Sequence, residues 1–267
     1  MNVRIHQIDA FTDRPFCGNP AAVCIVDSST TDAWMQNVAA EMNLAETAFL
    51  VRTDDGYALR WFTPLLEVDL CGHATLASAH MLWDTGIESS ESEIRFETKS
   101  GILTARRDDD WIELNFPSEP ASPAPVAVHT ELLLALRITQ NQVNYIGSNR
   151  MDLLLEIESV AALIAIAPDM VQLAKLPYRG VIVTAKSNET GKDFLSRFFA
   201  PAAGVPEDPV TGSAHCCLAP YWQSRLDKDS MVGYQASRRG GFVAVVVQGD
   251  RVLLRGKAVT VLRGDLV

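Results

Sequence analysis

The sequence predicts an α/β protein of two lobes, built from a duplicated unit of strand, loop, helix and hairpin. Three observations predict it. Two long segments match each other at a nearly constant offset, both carry helical and then alternating apolar patterning, and a proline-rich stretch separates them. The first copy is RWFTPLLEVDLCGHATLASAHMLW from Arg60, and the second is SRFFAPAAGVPEDPVTGSAHCCLAPYW from Ser196. Phe62 and Pro64 fall on Phe199 and Pro201 at an offset of 137. After three extra residues in the second copy, Gly72, His73 and Ala74 fall on Gly212, Ser213 and Ala214 at an offset of 140. That offset persists through the hairpins, where Gly101 falls on Gly241, Asp110 on Asp250, and Ile112 and Leu114 on Val252 and Leu254.

Each copy therefore reads, in order, as a strand, a proline-containing loop, a glycine, a helix and a hairpin such as FVAVVVQGDRVLL. The segment PSEPASPAPV, residues 117–126, holds four prolines in ten positions, which favours an extended connector over a helix or central strand. The expected organisation is an N-terminal lobe over 1–117, a connector over 118–126 and a C-terminal lobe over 127–267. Neither unit continues into a series of βαβ crossovers, which argues against a doubly wound sheet. No GxGxxG or GxxxxGK[ST] occurs, so no nucleotide cofactor is expected.

Composition narrows the function classes. The chain is 48% hydrophobic and 21% charged over 267 residues, ordinary for a globular protein. No run approaches the roughly 18 apolar residues of a membrane span, and MNVRIHQIDAFTD lacks the apolar core of a signal peptide, so a cytoplasmic location and no membrane partner are expected. A net charge of -10 and scattered basic residues argue against nucleic acid. Five cysteines without CxxC spacing read as reduced thiols rather than disulfides or a metal site.

In both copies a glycine opens the helix, at Gly72 and Gly212. A helix N-terminus offers unpaired N–H groups and partial positive charge, suited to a carboxylate, while Ser213 would otherwise serve only as a cap. If the lobes pack by pseudo-twofold symmetry, the two helix starts converge on one cleft. Glu46 lies inside the apolar run NLAETAFL, as either a general acid/base or a strand-edge carboxylate facing water. His73 reads as an acid, a donor to substrate or a cap-region histidine. Asp208, held out of a helix interior by Pro209, orients a polar partner or is an ordinary turn residue. His80 and His215 suggest packing or carry little information, and the acidic run Asp108, Asp109 and Asp110 reads as a solvated hairpin turn.

Taken together, DAFTDRPFCGNPAAV, EMNLAETAFLV, RWFTPLLEVDLCGHATLASAH and GVPEDPVTGSAHC resemble the PhzF family of phenazine-biosynthesis-like proteins, from Ile8 to the C-terminus. The resemblance implies a diaminopimelate-epimerase-like fold, with two pseudo-symmetric lobes each curling a sheet around a central helix, and commonly a homodimer. It further implies an isomerase without cofactor or metal, acting on a small carboxylate-bearing substrate as the family's trans-2,3-dihydro-3-hydroxyanthranilate isomerase does. On that resemblance Glu46 is the catalytic carboxylate, with His73, Asp208 and Ser213 as polar site residues. Gly72 and Gly212 would hold the substrate carboxylate, and Asn19 a binding or structural role. Ala45 departs from the phenazine enzyme, which carries a hydroxyl there.

Related epimerases set one cysteine at each helix start. Cys71 fills the first place, but Thr211 stands in the second, and a hydroxyl is far too weak an acid or base to replace a thiol. A two-cysteine racemase is therefore not expected. A helix N-terminus can lower a thiol pKa, so Cys71 could be reactive, and a one-cysteine epimerase or dehydratase remains the alternative enzyme. A non-catalytic interaction module retaining the fold is the alternative outside enzymology.

Overall fold

The computed structural model describes residues 3–267. It divides into two compact units, one made of the chain up to Phe116 with Leu253–Val267, the other of Pro117–Val252. Among the described residues no helix is long and apolar enough to cross a membrane.

The first unit runs β1 (Val3–Ala10), β2 (Asn19–Ile25), α1 (Asp32–Met42), β3 (Glu46–Thr53), β4 (Gly56–Phe62), β5 (Glu67–Val68), α2 (Gly72–Asp84), β6 (Ile94–Thr98), β7 (Gly101–Asp108) and β8 (Trp111–Pro117). In the second follow β9 (Ser122–Pro123), α3 (His129–Leu136), β10 (Val143–Ser148), β11 (Asp152–Ile157), α4 (Val160–Ala165), α5 (Met170–Leu173), β12 (Gly180–Lys186), β13 (Phe194–Phe199), α6 (Gly212–Leu226), β14 (Ser230–Gln235) and β15 (Gly241–Gln248). The chain returns through β16 (Arg251–Gly256) to β17 (Ala258–Leu266) in the first unit.

The repeat read from sequence is a repeat of strand pairing. In the first unit β1–β2 is antiparallel, β2–β3 parallel, β3–β4 antiparallel, β4–β6 parallel and β6–β7 antiparallel. The second unit repeats that series with β10–β11, β11–β12, β12–β13, β13–β14 and β14–β15. Register extends the match upstream of the sequence repeat. Thr47 faces Phe62 as Val181 faces Phe199, so Glu46 corresponds to Gly180 and the carboxylate exists in one copy only.

Each unit wraps its sheet around one central helix. In α2 the residues His73–Ala79 and Met81–Trp83 are all buried, and the helix packs on β1, β2, β3 and β17. A helix apolar on nearly every side must be enclosed. Its buried hydroxyls are satisfied by the preceding turn, Thr75 donating to the Cys71 carbonyl at 2.6 Å and Ser78 to that of Ala74 at 2.7 Å. The central α6 contains Pro220, which has no N–H for the Cys216 carbonyl; Glu119 N–H takes that acceptor instead, at 3.1 Å. The opposite face of each sheet is covered by α1, through Met35 and Ala39, or by α3, α4 and α5, through Leu132, Leu136, Leu163 and Leu173.

The expected C-terminal lobe of 127–267 is corrected at its end. Leu253–Val267 belongs to the first unit because β17 pairs antiparallel with β1 from Val3↔Leu266 to Ala10↔Ala258, closing an edge that would otherwise expose a row of backbone donors and acceptors. The connector 118–126 is likewise part of the second unit, where Ser122 and Pro123 form β9 against Ser148 and Gly147 of β10. The unit division falls between Phe116 and Pro117. The acidic hairpin turn stands as read, with Asp109 in the left-handed region at φ 53° and all three aspartates exposed.

Candidate active site

Helix α2 begins at Gly72 with Cys71 as its extended N-cap, and no side chain caps it. Parallel pairing of β2 with β3, in register Ala21↔Glu46, brings the starts of both strands to the same end of the sheet. Asn19 and Glu46 are the first residues of those strands. The loop into Asn19 requires Gly18, at φ +63°, because a Cβ there would lie 2.1 Å from the Ala10 carbonyl oxygen.

These constraints gather four side chains. His73 Nε2 lies 3.1 Å from Glu46 Oε2, an ion-pair contact rather than a well-aligned hydrogen bond. On the other edge of the ring, Nδ1 is 3.2 Å from Asn19 Nδ2 and 3.5 Å from Cys71 Sγ. Asn19 and His73 are buried, whereas the Glu46 side chain retains 17% exposure and is the reachable member of the pair. Burial disfavours charge on His73, but Cys71 and Glu46 outweigh it, and the imidazole pKa lies well above its ordinary value. The Cys71 thiol is pushed up by burial and by Glu46. The lowering that a helix N-terminus can give a thiol does not prevail at Cys71, because desolvation dominates.

Glu46, Cys71 and His73 each offer a ligand atom within 4.8 Å of the others, near enough to consider a metal ion. Spacing in sequence hid this cluster. Cys71 approaches Nδ1 and Glu46 approaches Nε2 of the same ring, however, so a tetrahedral centre using all three would require one of them to move. The arrangement as it stands suits proton transfer better than ligation.

In the second unit α6 begins at Gly212, with Thr211 in the same extended N-cap conformation and again no side-chain cap. Thr211 Oγ1 donates to Asp208 Oδ2 at 2.5 Å. Ser213 is not a cap; its hydroxyl accepts from Arg179 Nη2 at 2.9 Å. Arg179 is held by Asp152 through Nε to Oδ1 at 2.9 Å and Nη2 to Oδ2 at 2.5 Å. Burial raises the Asp152 pKa although Arg179 pulls the other way. Asp152 and Arg179 were missed by the sequence reading, as was Gln235, which contacts Thr211 and Asp208. The signal that finds Arg179 is strand register, since it precedes the counterpart of Glu46.

Two further histidines have partners of their own. His215 is fully buried, its Nδ1 2.8 Å from the Thr211 carbonyl, and burial pushes its pKa down to about 4. His80 contacts Thr260 Oγ1 at 3.1 Å. A cavity of about 220 Å³ lined by His80, Asp84, Arg107 and Lys257 contains none of the predicted site residues.

The duplicated sheet-around-helix architecture is that of a diaminopimelate-epimerase-like α/β protein. Within that class the chain belongs to the phenazine biosynthesis-like (PhzC-PhzF) family, which matches residues 8–264. It is 55% identical over 267 residues to an uncharacterized isomerase of Halalkalibacterium halodurans, covering 100% of this chain and 99% of that one. A PhzF-family phenazine biosynthesis protein of Enterococcus faecalis superposes with a TM-score of 0.93 at 38% identity, covering both chains fully at 100%. A hydroxyproline epimerase of Agrobacterium vitis shares the fold alone, with a TM-score of 0.63 at 11% identity over 99% of this chain and 92% of the other.

Proposed function

We propose that this protein is a cofactor-independent isomerase that moves a proton between carbons of a small carboxylate-bearing substrate, with Glu46 as general acid/base. The observation that carries this reading is the partly exposed Glu46 carboxylate held 3.1 Å from a buried His73 whose pKa is raised. Glu46 removes a proton from a substrate C–H bond, and the released electron pair forms a new C=C bond. At its far carbon the former double bond takes a proton from the Glu46 carboxyl, which exchanges with solvent between the transfers, so the reaction consumes no oxidant or water. His73 holds the carboxylate in one orientation and stabilises its charged form before the first transfer and after the second. Asn19 serves either protonation state of His73, offering its amide nitrogen to a neutral Nδ1 or its oxygen to a protonated one. In each unit by itself the helix N-terminus offers N–H donors suited to a substrate carboxylate, at Gly72 in the first and at Gly212 in the second, where Ser213 and Asp208 are the polar side chains of the helix start.

Proton NMR in deuterated water with trans-2,3-dihydro-3-hydroxyanthranilate tests the reading. Deuterium should enter a ring carbon with wild type and with Cys71→Ala, but not with Glu46→Gln. Undiminished exchange by Glu46→Gln overturns the role of Glu46. Loss of turnover in Cys71→Ala would instead favour a one-cysteine epimerase or dehydratase. No exchange by wild type directs the search to other small carboxylates, amino acids first.

A further inference from the structure

Resting on the isomerase reading, we infer that Gln235 is a positioning residue for Asp208, acting through the Thr211 hydroxyl whose direction of donation it fixes. Gln235 ends β14 and is fully buried, at 0% exposure. Its amide meets three groups of the segment leading into α6. Gln235 Oε1 accepts from Thr211 N–H at 2.9 Å, and Nε2 donates to the Asp208 carbonyl at 2.7 Å and to Thr211 Oγ1 at 3.2 Å.

The polarity of this set has one solution. A backbone N–H only donates, so the amide oxygen must face Thr211 N–H. That choice turns the amide nitrogen to the Asp208 carbonyl, which only accepts. A flipped amide would set donor against donor and oxygen against oxygen inside a buried site. With its oxygen accepting from Gln235, the Thr211 hydroxyl directs its single proton to Asp208 Oδ2, the contact at 2.5 Å. The same segment is gripped a second time by Ser237, whose hydroxyl donates to the Pro209 carbonyl at 2.8 Å and accepts from Gly240 N–H at 3.0 Å.

A parallel in the first unit supports a functional purpose. Neither N-cap residue caps its own helix. Cys71 instead contacts His73, and Thr211 contacts Asp208, so each braces a polar group of its own unit. The side chain at this position has become a support, and in the second unit Gln235 sets which way it points.

The test compares Gln235→Met, which keeps the bulk and removes every hydrogen bond, with Thr211→Val and the double variant. On a turned-over substrate, kcat should fall about 10- to 100-fold in each single variant. KM should stay within about 3-fold of wild type, because aim rather than ground-state binding is lost. The double variant should be no slower than the slower single, since both act on one path. Wild-type kcat in Gln235→Met, or multiplicative losses in the double variant, overturns the inference. Amide hydrogen exchange supplies a readout that needs no substrate and so separates failure here from failure of the isomerase reading. Thr211 N–H should exchange at least about tenfold faster in Gln235→Met. Unchanged protection overturns the clamp even if no substrate is found. If Gln235→Met does not fold, Thr211→Val decides: an unaltered kcat refutes the path, and a loss in kcat at constant KM supports it.

Discussion

Glu46 and His73 face each other across 3.1 Å, and the consequence is reciprocal. The raised pKa of His73 depends in part on the Glu46 charge, so Glu46→Gln should lower the His73 titration midpoint as well as abolish turnover. Loss of a general acid/base is expected to reduce kcat by about 10² to 10⁴. Imidazole NMR titration checks the first effect and deuterium incorporation the second; an unmoved His73 midpoint would show that another charge holds the proton. Cys71 gives the opposite expectation. Its thiol is buried and pushed up in pKa, so alkylation of native protein at neutral pH should be slow at Cys71 and faster at the more accessible Cys17, as read by mass spectrometry of modified peptides. Rapid modification of Cys71 would contradict the burial argument.

Helix α6 carries a pH dependence of its own. His215 is neutral in the folded state, with a pKa of about 4 against 6.5 for the free side chain. For a depressed histidine the unfolded chain binds the proton first. Stability is therefore unaffected above 6.5 and is lost as pH falls from 6.5 toward 4, by about 3 kcal/mol in all. Urea unfolding across that interval should show a flatter dependence in His215→Gln than in wild type, whatever the variant's stability at neutral pH. Equal slopes would place the acid sensitivity elsewhere. The helices were legible because Gly72 and Gly212 stop the preceding loops and the small apolar residues after them repeat between copies. The roles at the helix starts were less so. Thr211 was recognised as unfit for base chemistry, but its donation to Asp208 depends on Gln235, a residue that enters only when β14 folds beside the loop.

At the level of the whole molecule, the C-terminal strand completes the first unit. Pairing of β17 with β1 runs the full length of β1, and side-chain links such as Arg263 Nη2 to Asp84 Oδ2 at 2.6 Å tie the strand to α2. Truncation after Lys257 should leave β1 as a bare edge and yield a destabilised, self-associating chain, detectable by light scattering and a lowered thermal midpoint. A monodisperse truncated protein with an unchanged midpoint would show β17 to be dispensable.

By itself the sequence determined the duplication and the helix starts, because these follow from local pattern and from residues that recur at a constant offset, and it nominated the candidate side chains around them. Tertiary structure decided where β17 belongs, that Glu46 has Gly180 as its counterpart, that Cys71 is desolvated rather than activated, and that Arg179, Asp152 and Gln235 brace the second helix start. Each of these depends on strand register or burial, and both are set by contacts between residues distant in the chain, which a linear pattern does not encode.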